Sequence, residues 1–223
     1  ANGELISKGY KVLIMSRTLA MSAEEISAVQ AFADAGGVVI ADSQTALFDG
    51  HCKRRSIAEG GGLMDAWFGI QRLTYRTTER NRGSSDAYTG TVTVKTPPAG
   101  FAPLTSGLGS TVDEGWHAVE SGVRAAGGTA VGLFGNNPDQ PVLIVKNHGA
   151  GKSVYMNVTL NRYGREGSNY TEERRYPSTA AAYDVRQLVR NLVALGGVTP
   201  KVQVLQGFDA EPGVSPEVYN LEK

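Results

Sequence analysis

The feature that most constrains the fold is a block near the start of the sequence, Tyr10-Lys-Val-Leu-Ile-Met15 through Gly36-Gly37-Val-Val-Ile-Ala-Asp42. It reads as a strand, a helix and a second strand. Lys11 to Met15 and Val38 to Ala41 are unbroken apolar runs of strand length, and a run without alternation predicts a strand covered on both faces, as in a parallel sheet. Between them Ser22-Ala-Glu-Glu25 is a capping box. Ile26, Val29, Phe32 and Ala33 share one helical face, and Gly36 stands where a left-handed stop belongs. This order and length imply a right-handed parallel crossover. The loops beyond Ser16 and Asp42 then lie at the carboxyl ends of the strands, where such sheets build their sites. Neither strand end carries the exposed Cys, Ser or Gly-rich loop that a catalytic version of the fold needs, so the block reads as a scaffold with no chemistry of its own.

At 223 residues the chain is long enough for one large α/β domain or two small ones. Lys plus Arg equal Asp plus Glu at 22 each, so no broad field favours nucleic acid or an anionic membrane as partner. The single Cys52 excludes an internal disulfide framework and a Cys-based structural zinc site. No run approaches the roughly 18 apolar residues of a membrane span, and Ala1-Asn-Gly-Glu-Leu5 has no basic segment followed by an apolar one, so a soluble segment without a leader peptide is expected. Glycine, 28 residues, is abundant enough to predict many tight turns and close backbone approaches.

After Asp42 the polar stretch to Arg55 reads as a loop. Gly60 to Gly69 reads as a glycine-rich approach to one or two helical turns that pack Leu63, Met64, Trp67 and Phe68 inward. The chain is polar from Arg72 to Gly90, and Thr91 to Lys95 alternates before Pro97-Pro98, which predicts an edge strand or a small inserted ribbon. Gly115 to Glu120, Thr129 to Phe134, Pro141 to Lys146 and Ser153 to Val158 are successive strand candidates, with Asn147 to Lys152 closing a hairpin. Ser178 caps a helix bearing Val185, Leu188, Val189, Leu192 and Val193 on one face, ended by Gly196-Gly197. Val202 to Leu205 reads as a final strand, and the tail from Gly207 as a linker or the opening of a further domain.

The chemical motifs are weak. Gly149-Ala-Gly-Lys-Ser153 lacks the first glycine of a phosphate loop and precedes a strand where that motif needs a helix. Cys52 follows His51, but adjacent residues rarely meet as nucleophile and base, and no Gly-x-Ser-x-Gly elbow occurs. His51, His117 and His148 lack paired metal-ligand spacing. No cofactor, no metal and no catalytic residue is expected in this segment. Asp42 and Asp49 stand at and after a strand's carboxyl end. They face a ligand or neighbouring domain there, or else Asp42 bonds loop amides and Asp49 caps a turn. The run from Arg162 to Tyr176 interleaves aromatics with both charge signs, which suits a wet protein interface or a sugar surface, or a solvated loop.

In order, Gly9 to Met15, Phe32-Ala-Asp-Ala-Gly-Gly37, Val38 to Asp42, Leu47-Phe-Asp49 with His51, Leu63 to Gly69, Gly151 to Asn157 and Gly196 to Pro200 resemble the middle, trimerisation domain of family 42 glycoside hydrolases, the bacterial β-galactosidases. The resemblance implies an α/β, flavodoxin-like (class I glutamine amidotransferase-like) fold, a mostly parallel sheet with flanking helices and an added β-rich segment. The domain would span residues 1–206 and lack its first strand, with residues 207–223 a linker or the start of a following β domain. The parent would be a glycoside hydrolase whose catalytic carboxylates lie on an adjacent barrel domain. This segment would be non-catalytic, mediating homo-oligomerisation, a trimer in the family, and shaping the rim of a carbohydrate site. Asp42, Phe48, Asp49, His51, Arg162, Tyr163 and Arg165 are the interface or sugar-rim candidates, within the Thr45–Arg55 loop, the Arg162–Arg175 segment and the strand end before them. Two other readings compete. One is a stand-alone amidotransferase-like hydrolase using Cys52 or a His and carboxylate cluster, and the other a carbohydrate-binding module presenting Trp67, Trp116 and the tyrosines.

Overall fold

The computed structural model describes residues 3–75, 77–79, 91–113, 118–134, 137–158 and 180–198. The first third comprises α1 (Glu4–Ser7), β1 (Val12–Met15), β2 (Ala20–Met21), α2 (Ala23–Asp34), β3 (Val38–Ala41), β4 (Phe48–Asp49), α3 (Asp65–Phe68) and β5 (Ile70–Arg72). Strands β6 (Thr77–Glu79), β7 (Thr91–Val94), β8 (Thr111–Asp113), β9 (Ala118–Glu120), β10 (Val123–Ala125), β11 (Thr129–Phe134), β12 (Asn137–His148) and β13 (Gly151–Met156) follow, then α4 (Ala180–Ala194). Short 3₁₀ turns lie at Ile57–Glu59 and Ala102–Thr105.

The expected strand, helix and strand are present. The Ser22 hydroxyl accepts from the Glu25 amide at 3.2 Å and the Glu25 carboxylate accepts from the Ser22 amide at 2.8 Å, which closes the capping box of α2. Gly36 stops the helix at φ 97°, a left-handed conformation that costs an L side chain. Strands β1 and β3 pair in parallel, from Val12 opposite Val38 to Met15 opposite Ala41.

Seven strands form the main sheet in the order β1-β3-β13-β12-β11-β7-β8. The expectation of a mostly parallel sheet needs correction. Only β1 with β3 and β3 with β13 pair in parallel, and the other four neighbours are antiparallel, so the α/β sheet is mixed and strand-rich. The reason is connection length. A parallel return needs a crossover of a dozen or more residues, and the turn at Gly149-Ala150 reverses the chain directly into β13. Thr91–Val94 is not an edge: β7 lies between β11 and β8. The predicted Ser153 strand begins two residues earlier, at Gly151, and β10 falls where no strand was expected.

Each face of the sheet has its own core. Val39, Ala41, Ile144 and Tyr155 pack with Val29 and Phe32 of α2 and Met64 and Phe68 of the α3 region. Val38, Ile40, Val145, Val154 and Met156 pack with Leu188 and Leu192 of α4 and with Phe101 and Leu104. Successive residues of β3 therefore enter opposite cores, which explains its unalternating Val-Val-Ile-Ala. Helix α2 lies so close to β13 that a Cβ on Gly151 would collide with the Ala33 carbonyl oxygen.

No helix among the described residues is long and apolar enough to cross a membrane. Trp116, His117, Arg162 to Tyr176, Ser178, Val202 to Leu205 and the tail from Gly207 lie outside the described residues.

Candidate functional site

The loops after β1 and β3 run side by side at the carboxyl end of the parallel strands. The Ala46 amide donates to the Thr18 carbonyl at 2.8 Å, the Phe48 amide to that of Leu19 at 3.0 Å, and β2 and β4 continue the pairing in parallel. Arg17, Gln44, Ala46 and Cys52 all have positive φ, at 49°, 67°, 54° and 59°. Left-handed backbone at non-glycine residues costs of order 1 kcal/mol each and persists only where surrounding bonds over-determine it.

Two aspartates supply part of that determination. Asp42 is fully buried and its carboxylate accepts from the Arg17 amide at 2.7 Å and the Ser16 hydroxyl at 3.2 Å, which clasps the end of β1 to the end of β3. Its own carbonyl accepts from the Thr45 hydroxyl at 2.8 Å. Asp49 is half-buried and accepts from the His51 and Lys53 amides, each at 2.9 Å, so a tight turn folds around its side chain. The Lys53 amide leads the groups that hold the Asp49 carboxyl below the ordinary 3.8; burial, the next largest influence, opposes it, and the His51 amide and the His51 and Lys53 charges add to the lowering. Phe48 is half-buried on β4, while His51 and Cys52 are exposed on the turn. The structure thus strings Asp42, Phe48, Asp49 and His51 along one loop, with the two carboxylates serving separate sets of donors. Arg162, Tyr163 and Arg165 lie outside the described residues.

Behind this loop lies a polar cluster that the sequence did not announce. Arg72, fully buried on β5, donates from Nε to Glu120 Oε1 at 2.9 Å, from Nη2 to Glu120 Oε2 at 3.2 Å and to the Tyr155 hydroxyl at 2.8 Å, and from Nη1 to Asp65. The Tyr155 hydroxyl donates to Glu120, and the Gln44 amide donates to Glu120 Oε2 at 2.9 Å. Asn157 and Gln140 hold the Glu120 backbone, accepting from its amide at 3.1 Å and donating to its carbonyl at 3.1 and 3.2 Å. Burial alone would lower the Arg72 pKa, but the interactions with Tyr155 and Glu120 outweigh it and hold the guanidinium above its ordinary value. Burial pushes the Tyr155 phenol well up, opposed by the Arg72 charge and assisted by Glu120. Arg72 stays charged and Tyr155 stays protonated. All four side chains are buried, so the cluster clamps the elements that carry them to one another.

Arg72 hides in the sequence because it sits in a polar stretch whose neighbour Leu73 turns out exposed at 54%. One signal was available: the run Gly60-Gly-Gly62. A Cβ on Gly62 would run into the Asp65 carboxylate and the Arg72 guanidinium.

The remaining motifs resolve simply. Trp67 stacks on His148 with ring centroids 3.9 Å apart and meets Phe68 edge-on. In Gly149 to Ser153 the first two residues form the hairpin turn and the other three are the start of β13. Among the described residues no group of three or more His, Cys, Asp or Glu side chains is placed to hold a metal.

No family profile matches the chain, and a comparison with curated proteins finds no match. Solved structures are informative. The β-galactosidase from Bacillus circulans sp. alkalophilus is similar over 87% of this chain and 24% of that one, at a TM-score of 0.62 and 17% identity. The chain shares its fold with one part of a β-galactosidase. A second β-galactosidase, from the Antarctic haloarchaeon Halorubrum lacusprofundi, is similar over 82% of this chain and 22% of that one, at a TM-score of 0.54 and 14% identity. The chain therefore spans less than a quarter of the length of these β-galactosidases. The mmIFT52 N-terminal domain is similar over 90% of this chain and 82% of that one, at a TM-score of 0.50 and 15% identity.

Proposed function

We propose that this chain is a non-catalytic assembly domain of a glycoside hydrolase resembling family 42 β-galactosidases, with a class I glutamine amidotransferase-like, flavodoxin-like fold. It mediates homo-oligomerisation, as a trimer, and shapes the rim of the sugar site of an adjacent catalytic barrel. In this reading a further strand of the parent covers β1, and residues 207–223 lead into a following β domain. The Thr45–Arg55 loop and the Arg162–Arg175 segment make the contacts. The observation that carries the reading is the match of 87% of this chain to 24% of a β-galactosidase. The loop chemistry supports it. Asp42 and Asp49 accept from backbone amides, and the buried charges of Arg72, Asp65 and Glu120 bond one another, which suits a rigid surface that a partner reads as shape.

The test is to sequence the native reading frame on both sides of this segment. A barrel-length region with candidate catalytic carboxylates upstream is the expected result, and start and stop codons flanking the segment closely would overturn the reading. A second reading has its own observation. The mmIFT52 N-terminal domain matches over 82% of its own length, so the same fold serves as a whole domain under another name. An interaction domain in a parent that is not a glycosidase is then the alternative, and a flanking sequence without a barrel would favour it.

A further inference from the structure

We infer that Arg72 is a positioning residue that locks two loops, Asp42–Leu47 and Gly60–Met64, into one cooperative unit at the carboxyl end of the parallel strands. The inference concerns this chain's own mechanics and does not rest on the glycosidase reading. Each loop hangs on a buried carboxylate, and both carboxylates hang on the one guanidinium. Gln44, held at φ 67°, donates its amide to Glu120 Oε2 at 2.9 Å, and Gly62 donates its amide to Asp65 Oδ2 at 2.8 Å. Arg72 joins the two through Nε and Nη2 to Glu120 and through Nη1 to Asp65. The loops also touch directly, since the Leu63 amide donates to the Ala46 carbonyl at 2.9 Å, and Ala46 is itself left-handed. Tyr155 fixes the guanidinium to the main sheet beside Ala41, the last residue of β3.

The consequence follows from how buried charge behaves. A carboxylate that has lost its guanidinium inside the protein must gain water, and water reaches Glu120 or Asp65 only if the loop over it opens. Opening one loop removes its amide from the carboxylate and admits water there, which weakens that carboxylate's bond to Arg72 and so favours opening the other. A neighbouring domain or ligand that seats on either loop therefore stabilises both.

Native-state hydrogen exchange on the full-length protein tests this. In the wild type the amides of Gln44 and Gly62 are expected to open together, with one denaturant dependence, below the denaturant needed to release Ile40 in the centre of the sheet. The decisive variant is Asp65→Asn, which touches the Gly62 loop and Arg72 but makes no bond to Gln44. Exchange at Gln44 is expected to rise about tenfold, within the range for groups coupled through one buried network. A merely structural loss of stability would raise exchange at Ile40 by the same factor. Gln44 and Gly62 opening with different denaturant dependences would overturn the inference, as would both opening only with Ile40 or D65N accelerating Gly62 alone. Should D65N fail to fold, the wild-type comparison decides by itself.

Discussion

The two sides of this molecule share an apolar core, and one of them adds a buried ion cluster to it. Strands β1, β3 and β13 with α2 form a parallel layer cemented by apolar contact, with Val39, Ala41 and Tyr155 against Val29, Phe32 and Ala33. The β5–β10 pair and the β6–β9 pair are short, three residues to a strand, and stand outside the main sheet. Two short strands do not persist in water by themselves. Ile70 of β5 and Val123 of β10 enter the same apolar core, and what is added here is polar: Arg72 of β5 reaches Glu120 of β9 across 48 residues of sequence and Tyr155 of β13 across 83. Apolar periodicity positions layers, because any residue of the right size fills a core. A buried charge has a definite partner and direction, so it positions those elements that a stripe of apolar residues leaves free to slide.

The largest effect expected from breaking this contrast comes from Arg72→Met. Removing one member of a buried ion cluster costs about 3–5 kcal/mol, because the carboxylates left behind are uncompensated. Urea unfolding is expected to show a loss of that size. Replacing Arg72, Asp65 and Glu120 together by apolar residues of similar volume should cost less than R72M alone, since no charge is then stranded. If the triple variant is the less stable, the clamp contributes through direct attraction and the proposed division of labour fails.

On the parallel side the most damaging small change is Gly151→Ala, which drives a methyl into the Ala33 carbonyl. Overpacking of this kind costs typically 1–3 kcal/mol, below the effect of R72M. An equal or larger loss would show that close packing of α2 on β13 matters as much as the clamp. Ser22→Ala comes next. It removes one half of the α2 capping box, for which about 1 kcal/mol is the usual loss, and thermal unfolding would read it as a drop of a few degrees.

The same contrast explains what was legible in the sequence. β1, α2 and β3 were readable because each is specified within its own residues: an apolar run, a capping box, a glycine stop. The two-faced core was implied by Val38 to Ala41. The antiparallel character of the rest was not readable from strand candidates alone, since pairing partners such as β7 and β11 are chosen by tertiary contact. Asp42 and Asp49 were found at the strand's end by type and place, and amide capture was one of the two roles open to them. Arg72, Asp65, Glu120 and Tyr155 were missed because a buried charge looks like a surface charge until its partners are known. Only the three consecutive glycines before Asp65 hinted that something large lay close by.

The smallest effect tests whether the hairpin that joins β12 to β13 belongs to the apolar side or to the polar one. His148 stacks on Trp67 and its Nε2 lies 2.9 Å from the buried Ser153 hydroxyl. Burial first, and the Lys146 charge second, hold its pKa below the ordinary 6.5, with Asp34 opposing. The unfolded chain then binds the proton more readily than the folded one, so stability is complete above pH 6.5 and falls as pH drops through that value toward the folded pKa. Asp49 follows the same sign in a lower window: its carboxyl is held down in the fold, so what it contributes is present above its ordinary 3.8 and is lost only in stronger acid. The melting temperature of the wild type should therefore begin to fall as pH drops below 6.5, and His148→Gln should flatten that first fall while leaving the acid limb unchanged. A first fall that survives H148Q would take the dependence away from His148. One abolished by R72M but not by H148Q would instead place it in the clamp.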